Sequence, residues 1–280
     1  MVQAAPLIDH PFLPMPAIGF GTFQLDGDTV LRMIPEALEI GYRHIDTAQA
    51  YDNEDAVGRA LESSGVDRSE VFLTTKVWVD RFEPGELRAS VAESLDRLRS
   101  DHVDLLLLHW PVFGPAGMGP TLEALVREQE DGRVRHIGVS NFTIGHLEQA
   151  CGIVGDNRIA TNQVEFHVYL AQARLREAMH RLNMALTAYM PLAKGEVADD
   201  PLLAEIGAAH GKTAAQVALR WLVEKQGVAA IPATSKPEHA RANFDIFDFE
   251  LAAGEVERID GLPKDRRLCT PESLSPDWDD

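Results

Sequence analysis

The feature that most constrains the fold is a regular alternation of short apolar runs with longer amphipathic segments. Segments such as Thr29–Ile40 and Pro84–Leu98 place apolar residues at helical spacing between these runs. Strands that alternate with helices in this way indicate β/α units arranged around a parallel sheet. The strand-like runs are Ala17–Thr22, His44–Ala48, Val71–Val77, Val103–His109, His136–Ser140, Thr161–Phe166, Ala185–Tyr189 and Val228–Ile231.

Two parallel architectures are compatible with this alternation, a closed eight-stranded barrel and a doubly wound open sheet. A barrel brings the carboxyl ends of all its strands to one mouth, whereas an open sheet would scatter half of the polar residues that follow them. Such a barrel takes about 250 residues. We therefore predict an α/β fold, a (β/α)8 TIM barrel, with residues 1–280 forming a single domain. The polar residues concerned are Asp46, Lys76, His109, Ser140, Asn141, Gln163 and Tyr189.

The net charge argues against several classes of partner. Lys and Arg total 26 against 44 Asp and Glu, which gives a net charge of −18. Because no run of basic residues offsets this excess, nucleic acids and anionic membranes are poor partners. The two cysteines, Cys151 and Cys269, form no paired motif and indicate reduced thiols. Met1–Pro6 lacks a signal-peptide pattern and no apolar run reaches membrane-spanning length, so we expect a cytoplasmic protein.

Several short motifs suggest ligand sites that their surroundings argue against. Gly19-Phe20-Gly21-Thr22 lacks the third glycine of a dinucleotide-binding fingerprint, since Gln24 occupies that position, and a tight turn at a strand end is the better interpretation. Gly211-Lys212-Thr213 has a helical context and the wrong glycine spacing for a phosphate-binding loop. The ten histidines show no clustered ligand spacing. We therefore predict neither a Rossmann site nor a metal site.

Titratable residues near successive strand ends form the strongest functional pattern: Asp46, Tyr51, Lys76 and His109. Each alone has an ordinary structural explanation, as a helix cap, a packing residue, a cation at the barrel mouth or a core histidine. Together their roles are complementary. A buried Lys76 ammonium lowers the pKa of an adjacent Tyr51 phenol, and Asp46 keeps that lysine charged. The phenol is then expected to be a workable acid near neutral pH, and His109 to orient a carbonyl.

On these residues the chain resembles the aldo-keto reductase family, whose pattern it matches nearly end to end. The segment Arg267–Asp279 resembles the ending of the bacterial 2,5-diketo-D-gluconate reductase branch, especially its B-type members. Agreement of so many segments in the same order is a highly specific signal. The matching segments are Gly19–Phe23, Gly41–Glu54, Thr74–Trp78, Leu105–Pro111, Gly138–Phe142, Asn162–His167, Ala188–Leu192 and Ile231–Asn243.

The resemblance implies a monomeric enzyme that reduces aldehydes or ketones with NADP(H), and with NAD(H) as a second cofactor. The implied substrates are small polar carbonyls, such as keto-sugar acids or methylglyoxal-like dicarbonyls. In that scheme Tyr51 donates a proton to the carbonyl oxygen, while Lys76 and Asp46 tune the phenol. His109 orients the carbonyl, and the cofactor supplies the hydride.

The resemblance also implies where the cofactor binds. Ser140, Asn141 and Gln163 are expected to hold the nicotinamide carboxamide. Tyr189 is expected to stack beneath the nicotinamide ring. The other implied cofactor contacts are Gly21, Thr22, Pro191, Leu192, Ile231, Thr234, Ser235, Lys236, His239 and Asn243.

The implied substrate pocket has aromatic walls. Phe20, Trp78 and Trp110 are expected to line it, and the tail around Trp278 to close it in part. Aromatic walls exclude water, and a few polar groups at the mouth then set the orientation of a ligand. These residues predict a pocket suited to small polar carbonyls.

The chain departs from the family pattern where the 2′-phosphate of NADPH is commonly bound. Ala233 stands where the family often has Lys, and His239 stands where an Arg is usual. Thr234, Ser235 and Lys236 remain in the same stretch, with Arg241 nearby. These departures predict that NADPH is used and that NADH is used unusually well.

Two other functions compete with this interpretation. A barrel of this family could bind nicotinamide as a regulatory or structural subunit, although the intact Asp46, Tyr51, Lys76 and His109 set argues against it. Alternatively, the barrel could be an isomerase or lyase that uses no nicotinamide cofactor. Turnover of any aldehyde would argue against the regulatory barrel. Quenching of protein fluorescence by NADPH would argue against the isomerase or lyase.

Overall fold

The computed structural model describes residues 4–279, in which strands and helices alternate as the sequence predicts. Each predicted strand-like run contains one strand, and the bounds differ by only a few residues. Most of the strands are fully buried, as expected when helices cover a parallel sheet. The strands are β1 (Phe20–Gly21), β2 (His44–Asp46), β3 (Phe72–Val77), β4 (Val103–Leu108), β5 (Val134–Ser140), β6 (Ile159–Glu165), β7 (Ala185–Tyr189) and β8 (Val228–Ala230).

Local sequence signals account for several helix ends. Helix α3 has Pro84 in its first turn and is capped after Leu98 by Arg99, which adopts a left-handed conformation with φ of 52°. Thr213 and Gln216 form a capping box at the start of α8. Within residues 4–279, no helix is both long and apolar enough to span a membrane. The helices are α1 (Gly27–Ile40), α2 (Glu54–Ser63), α3 (Pro84–Leu98), α4 (Met118–Glu130), α5 (Ile144–Val154), α6 (Ala173–Arg181), α7 (Pro201–His210), α8 (Ala214–Val223), α9 (Pro237–Phe244) and α10 (Ala253–Asp260).

The eight strands form one parallel sheet in the order β1 to β8. Backbone hydrogen bonds also join the residues directly before β1 to β8, from Gly19 N to Ala230 O at 2.8 Å and from Ala230 N to Ala17 O at 2.9 Å. These bonds close the sheet into a barrel and exclude the open-sheet alternative. The predicted (β/α)8 fold is therefore confirmed.

The apolar core has two parts, one outside the barrel and one at its floor. Outward-facing strand residues such as Leu106 pack against the surrounding helices. Inward-facing Leu105 and Leu107 instead pack against Leu13 and Met15 from the N-terminal segment. This segment fills the amino-terminal end of the barrel with apolar side chains. The polar side chains therefore lie at the opposite end of the barrel, at the carboxyl ends of the strands.

Strand β1 is short and lies very close to its neighbours. A Cβ atom on Gly19 would lie 2.6 Å from Nδ1 of His44, and one on Gly21 would lie 2.8 Å from the Ile231 carbonyl oxygen. Only glycine permits these approaches. The Gly-Phe-Gly motif thus spans the start of β1 and the residue before it, and the turn follows at Gln24, where φ is 63°.

Candidate active site

Lys76 is the centre of the polar cluster at the mouth of the barrel. It is the second-to-last residue of β3, and its side chain is completely buried. Its Nζ atom donates to Asp46 Oδ1 at 2.5 Å and to the Thr47 carbonyl oxygen at 2.8 Å. Nζ also lies 3.3 Å from the hydroxyl oxygen of Tyr51. The barrel therefore brings three of the predicted catalytic side chains into direct contact.

Tyr51 reaches this cluster from a single helical turn, Gln49–Tyr51, that follows β2. The Gln49 side chain holds the turn against the barrel rim, since its Oε1 accepts from Trp78 N at 3.0 Å and its Nε2 donates to Ser94 Oγ at 3.1 Å. The ring of Tyr51 packs against Phe23 with centroids 5.1 Å apart. Its hydroxyl group is therefore held over Lys76 by contacts on both sides.

His109 lies directly after β4, and its ring meets the edges of two aromatic rings. The centroid of the Tyr51 ring is 5.7 Å away and that of the Trp78 ring is 5.1 Å away. Burial, and then the nearby Lys76 charge, hold the pKa of His109 well below its usual value. The imidazole is therefore neutral at pH 7. Its Nδ1 atom is buried and has no hydrogen-bond partner within residues 4–279, so the ring has bonding capacity left for a ligand.

The electrostatics correct one expectation. Burial raises the pKa of Tyr51 above its usual value, and the Lys76 charge only partly opposes that increase. The prediction that Lys76 brings this phenol near neutral pH is therefore wrong for the free protein. Burial alone would lower the pKa of Lys76, but Asp46 and Tyr51 hold it above its usual value. At neutral pH the site thus contains a protonated phenol beside an ammonium group.

A hydrogen-bonded chain extends from Asp46 across the ends of three further strands. Gln163 Nε2 donates to Asp46 Oδ2 at 2.7 Å, and Ser140 Oγ donates to the Gln163 carbonyl oxygen at 2.8 Å. Asn141 Nδ2 lies 3.1 Å from Ser140 Oγ, and Tyr189 OH donates to Asn141 Oδ1 at 2.8 Å. The four residues predicted to contact the nicotinamide therefore form one connected wall beside the Tyr51 cluster.

This cluster opens into a cavity of about 1060 Å³. Ligand pockets in proteins usually measure roughly 300–1,000 Å³, so this cavity is at the upper end of the range and can hold more than a small substrate. It reaches from the Tyr51 end of the barrel mouth to helix α9. The predicted site residues that line it are Gly21, Asp46, Tyr51, Trp78, His109, Trp110, Ser140, Asn141, Gln163, Tyr189, Pro191, Leu192, Ile231, Thr234, His239 and Asn243.

Some predicted site residues lie elsewhere. Phe20 is fully buried and packs edge-on against Tyr42, with centroids 5.9 Å apart, on the side of β1 that faces the helices. Its assignment to the substrate pocket is wrong, because Gly21 and the preceding Gly19 occupy the inward positions on either side of Phe20. Thr22 is also buried and donates to the Asp46 carbonyl oxygen at 3.1 Å.

Ser235 and Lys236 follow the cavity-lining residue Thr234 but are themselves exposed and do not line the cavity. Beside them lies a cation that sequence reasoning missed. Arg32, from α1, donates from Nη2 to the Ser235 carbonyl oxygen at 3.1 Å. Arg241 on α9 is 3.4 Å from Glu36. Arg32 therefore adds a second basic side chain, beside Lys236, at the exposed loop near the α9 end of the cavity.

The structure adds lining residues that no local pattern indicated. Phe23 takes the place expected for Phe20, and Lys194 comes from the short helical segment Ala193–Asp199. Trp278 does not line the cavity but contacts Trp110, with ring centroids 6.4 Å apart. The tail reaches the cavity through earlier residues instead. The principal additions are Phe23, Gln24, Lys194, Thr213, Cys269, Pro271 and Leu274.

The residues present fit a nicotinamide dinucleotide better than a metal ion. Within residues 4–279, no group of three or more His, Cys, Asp or Glu side chains could hold a metal ion. The cavity instead combines buried amide and hydroxyl groups at one end with basic residues near the other. Amides suit the carboxamide of a nicotinamide ring, and cations suit phosphate groups.

Comparisons with known proteins agree with this geometry. Residues 17–264 match the sequence model described as the Aldo/keto reductase family. The chain is 41% identical over 268 residues to "Methylglyoxal reductase DkgB" of Escherichia coli O157:H7, which covers 95% of this chain and 100% of that protein. It is 40% identical over 262 residues to "Glyoxal reductase" of Bacillus subtilis (strain 168), which covers 92% of this chain and 93% of that protein.

Among solved structures, a candidate 2,5-diketo-D-gluconic acid reductase B superposes with a TM-score of 0.95 at 48% identity, covering 100% of this chain and 99% of that one. Similarity of this extent spans the barrel, the polar cluster at its mouth and the tail. The chain is therefore a member of the aldo/keto reductase family and an oxidoreductase that acts on carbonyl groups.

Proposed function

We propose that this protein reduces small polar aldehydes and ketones with NADPH, and also with NADH, using Tyr51 as the proton donor. The observation that carries the proposal is the position of Lys76 Nζ, 2.5 Å from Asp46 Oδ1 and 3.3 Å from Tyr51 OH, beside a cavity of about 1060 Å³. A general acid in this position contributes about 10²–10⁴-fold to a reaction rate.

Each member of the cluster has a distinct part in this proposal. Tyr51 donates its phenolic proton to the carbonyl oxygen as negative charge develops there. Lys76 stabilises the phenolate that remains, and Asp46 keeps Lys76 charged in a buried position. His109, as a neutral imidazole, donates a hydrogen bond that orients the carbonyl. When bound, the reduced nicotinamide supplies the hydride.

The proposed cofactor contacts follow the polar wall of the cavity. Ser140, Asn141 and Gln163 are assigned to the carboxamide of the nicotinamide, and Tyr189 to the face of its ring. Supporting this assignment, Gln163 also bonds to Asp46 at 2.7 Å, so the groups proposed to hold the cofactor and the acid share one network. The remaining proposed contacts on the cavity wall are Gly21, Pro191, Leu192, Ile231, Thr234, His239 and Asn243, and the exposed loop beside it adds Ser235 and Lys236.

The proposed substrates are methylglyoxal, glyoxal and keto-sugar acids such as 2,5-diketo-D-gluconate. The names of the similar proteins support these choices. The cavity walls also suit small carbonyl compounds, because Phe23, Trp78 and Trp110 present aromatic surfaces around the Tyr51 hydroxyl. We further propose that residues 1–280 form one domain and that the protein acts as a cytoplasmic monomer.

A carbonyl panel assayed with both cofactors tests the proposed function. Methylglyoxal, glyoxal and 2,5-diketo-D-gluconate should be reduced with consumption of NADPH, and each cofactor should quench the protein fluorescence. Quenching without turnover of any carbonyl would favour a regulatory barrel. Absence of both signals would favour an isomerase or lyase that needs no nicotinamide.

Cofactor preference gives a second expected result. Changing Ala233 to Lys and His239 to Arg should shift the ratio of kcat/KM for NADPH over NADH by at least about tenfold, because one charge-assisted contact contributes roughly 1.5–3 kcal/mol. The ratio of the two cofactor dissociation constants, measured by fluorescence quenching, should shift in the same direction.

The matched control for that variant is Ala252→Lys with His180→Arg. It makes the same pair of substitutions at exposed positions outside the cavity, so it should leave the cofactor ratio unchanged. A wild-type enzyme that already rejects NADH by several orders of magnitude would contradict the argument. Phosphate recognition would then reside in other residues, with Arg32 as the nearest candidate.

A further inference from the structure

The C-terminal strap, residues 268–279, forms part of the cavity wall. Cys269, Pro271 and Leu274 line the cavity that Tyr51 and His109 also line. Apart from one short turn at residues 272–274, the strap has no regular secondary structure, so it lacks a ladder of backbone bonds to hold its path. Its position therefore depends on the few contacts that attach it to the barrel.

The backbone amides at the start of the strap bond to one carboxylate, while Lys194 Nζ donates to the Leu268 carbonyl oxygen at 3.0 Å. Glu165, the last residue of β6, accepts from Leu268 N at 2.7 Å with Oε1 and from Cys269 N at 2.8 Å with Oε2. His167 Nε2 lies 2.9 Å from the same Oε1 atom. Each Glu165 oxygen thus accepts from one backbone amide of the strap. The side chain is also completely buried.

The far end of the strap is attached independently. Asp279 Oδ2 accepts from Ile144 N, in the first turn of α5, at 2.8 Å. Arg174 Nη1 donates to the Asp279 carbonyl oxygen at 2.7 Å. The lining residues of the strap thus lie between two anchors, and they lie much nearer in sequence to the Glu165 anchor.

We propose that Glu165 is a positioning residue for substrate binding, whose carboxylate holds the C-terminal strap in place as a wall of the substrate cavity. This inference rests on the proposed carbonyl reduction. Glu165 shares strand β6 with Gln163, which bonds to Asp46. One strand therefore connects the acid cluster to the strap and sets their separation.

The role predicts a specific kinetic signature. Without both carboxylate oxygens at position 165, at least one of the amides of Leu268 and Cys269 loses its acceptor, and the start of the strap is held less tightly against the barrel. Substrate then loses apolar wall contacts, whereas Tyr51 and Lys76 keep their geometry. Losing a contact of one methylene in a pocket weakens discrimination by roughly 10–200-fold. KM for the substrate should therefore rise while kcat changes little.

The first test is Glu165→Gln, a substitution of nearly equal volume. We expect KM for methylglyoxal to rise at least about tenfold, with kcat within a few-fold and the NADPH dissociation constant nearly unchanged. Gln keeps one acceptor oxygen and presents an NH2 donor in place of the other, so amide hydrogen exchange should become much faster at whichever of Leu268 and Cys269 loses its acceptor. The matched control is Glu128→Gln, a buried carboxylate paired with Arg133 outside this cavity, which should leave both readouts unchanged.

A double-mutant cycle separates positioning from a general effect on the barrel. Deleting residues 268–280 should raise KM in the same way as Glu165→Gln. In the deleted chain, adding Glu165→Gln should have almost no further effect on KM, because nothing is left to hold. Where Glu165→Gln fails to fold, Glu165→Asp gives the same test, since it retains the charge but is too short to reach both amides.

Unchanged exchange at Leu268 and Cys269 in Glu165→Gln would overturn the proposal. So would a loss of kcat as large as the rise in KM, or a full effect of Glu165→Gln in the deleted chain. Failure of the proposed function is distinguishable from these results. If the wild-type protein reduces no carbonyl, the proposed function fails, and the exchange rates alone decide whether Glu165 holds the strap.

Discussion

Replacing Tyr51 with Phe is expected to lower the rate of carbonyl reduction by about 10²–10⁴-fold, the usual contribution of a general acid, while NADPH affinity stays nearly unchanged. The physical reason is that the Tyr51 hydroxyl is the protonated group that lies 3.3 Å from Lys76 Nζ at the cavity wall. Phe keeps the ring and its packing against Phe23 but has no proton to donate. The measurements are single-turnover reduction and cofactor binding by fluorescence quenching.

The matched control is Tyr169→Phe, which also removes a hydrogen-bonded phenol. The Tyr169 hydroxyl donates to Asp200 Oδ2 at 2.8 Å and does not line the cavity. This variant should therefore keep the wild-type rate. A Tyr51→Phe enzyme that retained most of the wild-type rate would show that another group donates the proton.

Replacing Lys76 with Met should also remove most of the activity, by at least about 10²-fold. Loss of the Lys76 ammonium leaves Asp46 as a buried carboxylate that is only 2% exposed and has no cation beside it. Breaking a buried pair in this way costs about 3–5 kcal/mol of stability. The double variant Lys76→Met with Asp46→Asn removes the unpaired charge, so it should recover stability but stay inactive.

The sign of the pH effect follows from the groups around Tyr51. Burial raises the pKa of this phenol, and the Lys76 cation lowers it. Without that cation the pKa of Tyr51 rises further. The reverse reaction, oxidation of the alcohol product, needs the Tyr51 phenolate to accept a proton. The rate of this oxidation in Lys76→Met should therefore begin to increase only at higher pH than in the wild type. The alkaline decline of carbonyl reduction should move to higher pH as well.

Lys212→Met is a suitable control for that profile, because Lys212 forms its ion pairs with Asp245 and Asp248 outside the cavity. Its pH profile should match that of the wild type. If the profile of Lys76→Met also matched the wild type, tuning of Tyr51 by Lys76 would be wrong, even if activity were lost.

The sequence by itself determined the architecture and most of the active-site candidates. Burial of parallel strands on both faces produces continuous apolar runs such as Leu105–Leu108, which are recognisable without a structure. Closing the barrel then places every strand end at one mouth. Asp46, Lys76 and His109 could therefore be grouped in advance, since each lies at or near a strand end.

The direction of a side chain in a very short strand was not determined in the same way. Alternation assigns faces reliably only when several residues establish the pattern. Strand β1 has two residues, and its partners decide that glycines face inward and Phe20 faces the helices. Phe23, beyond the strand, reaches the cavity because the chain turns at Gln24.

Only the tertiary structure decided how the strap is held and how the phenol is tuned. Glu165 and Leu268 are 103 residues apart, and no local pattern links positions so distant in sequence. The pKa of Tyr51 depends on a balance between desolvation and one cation, and residue identity indicates only the cation. The periodicity of apolar residues is a local property and can be recognised from the sequence alone. Long-range contacts and burial exist only once the chain has folded, and they decide what those local residues can do.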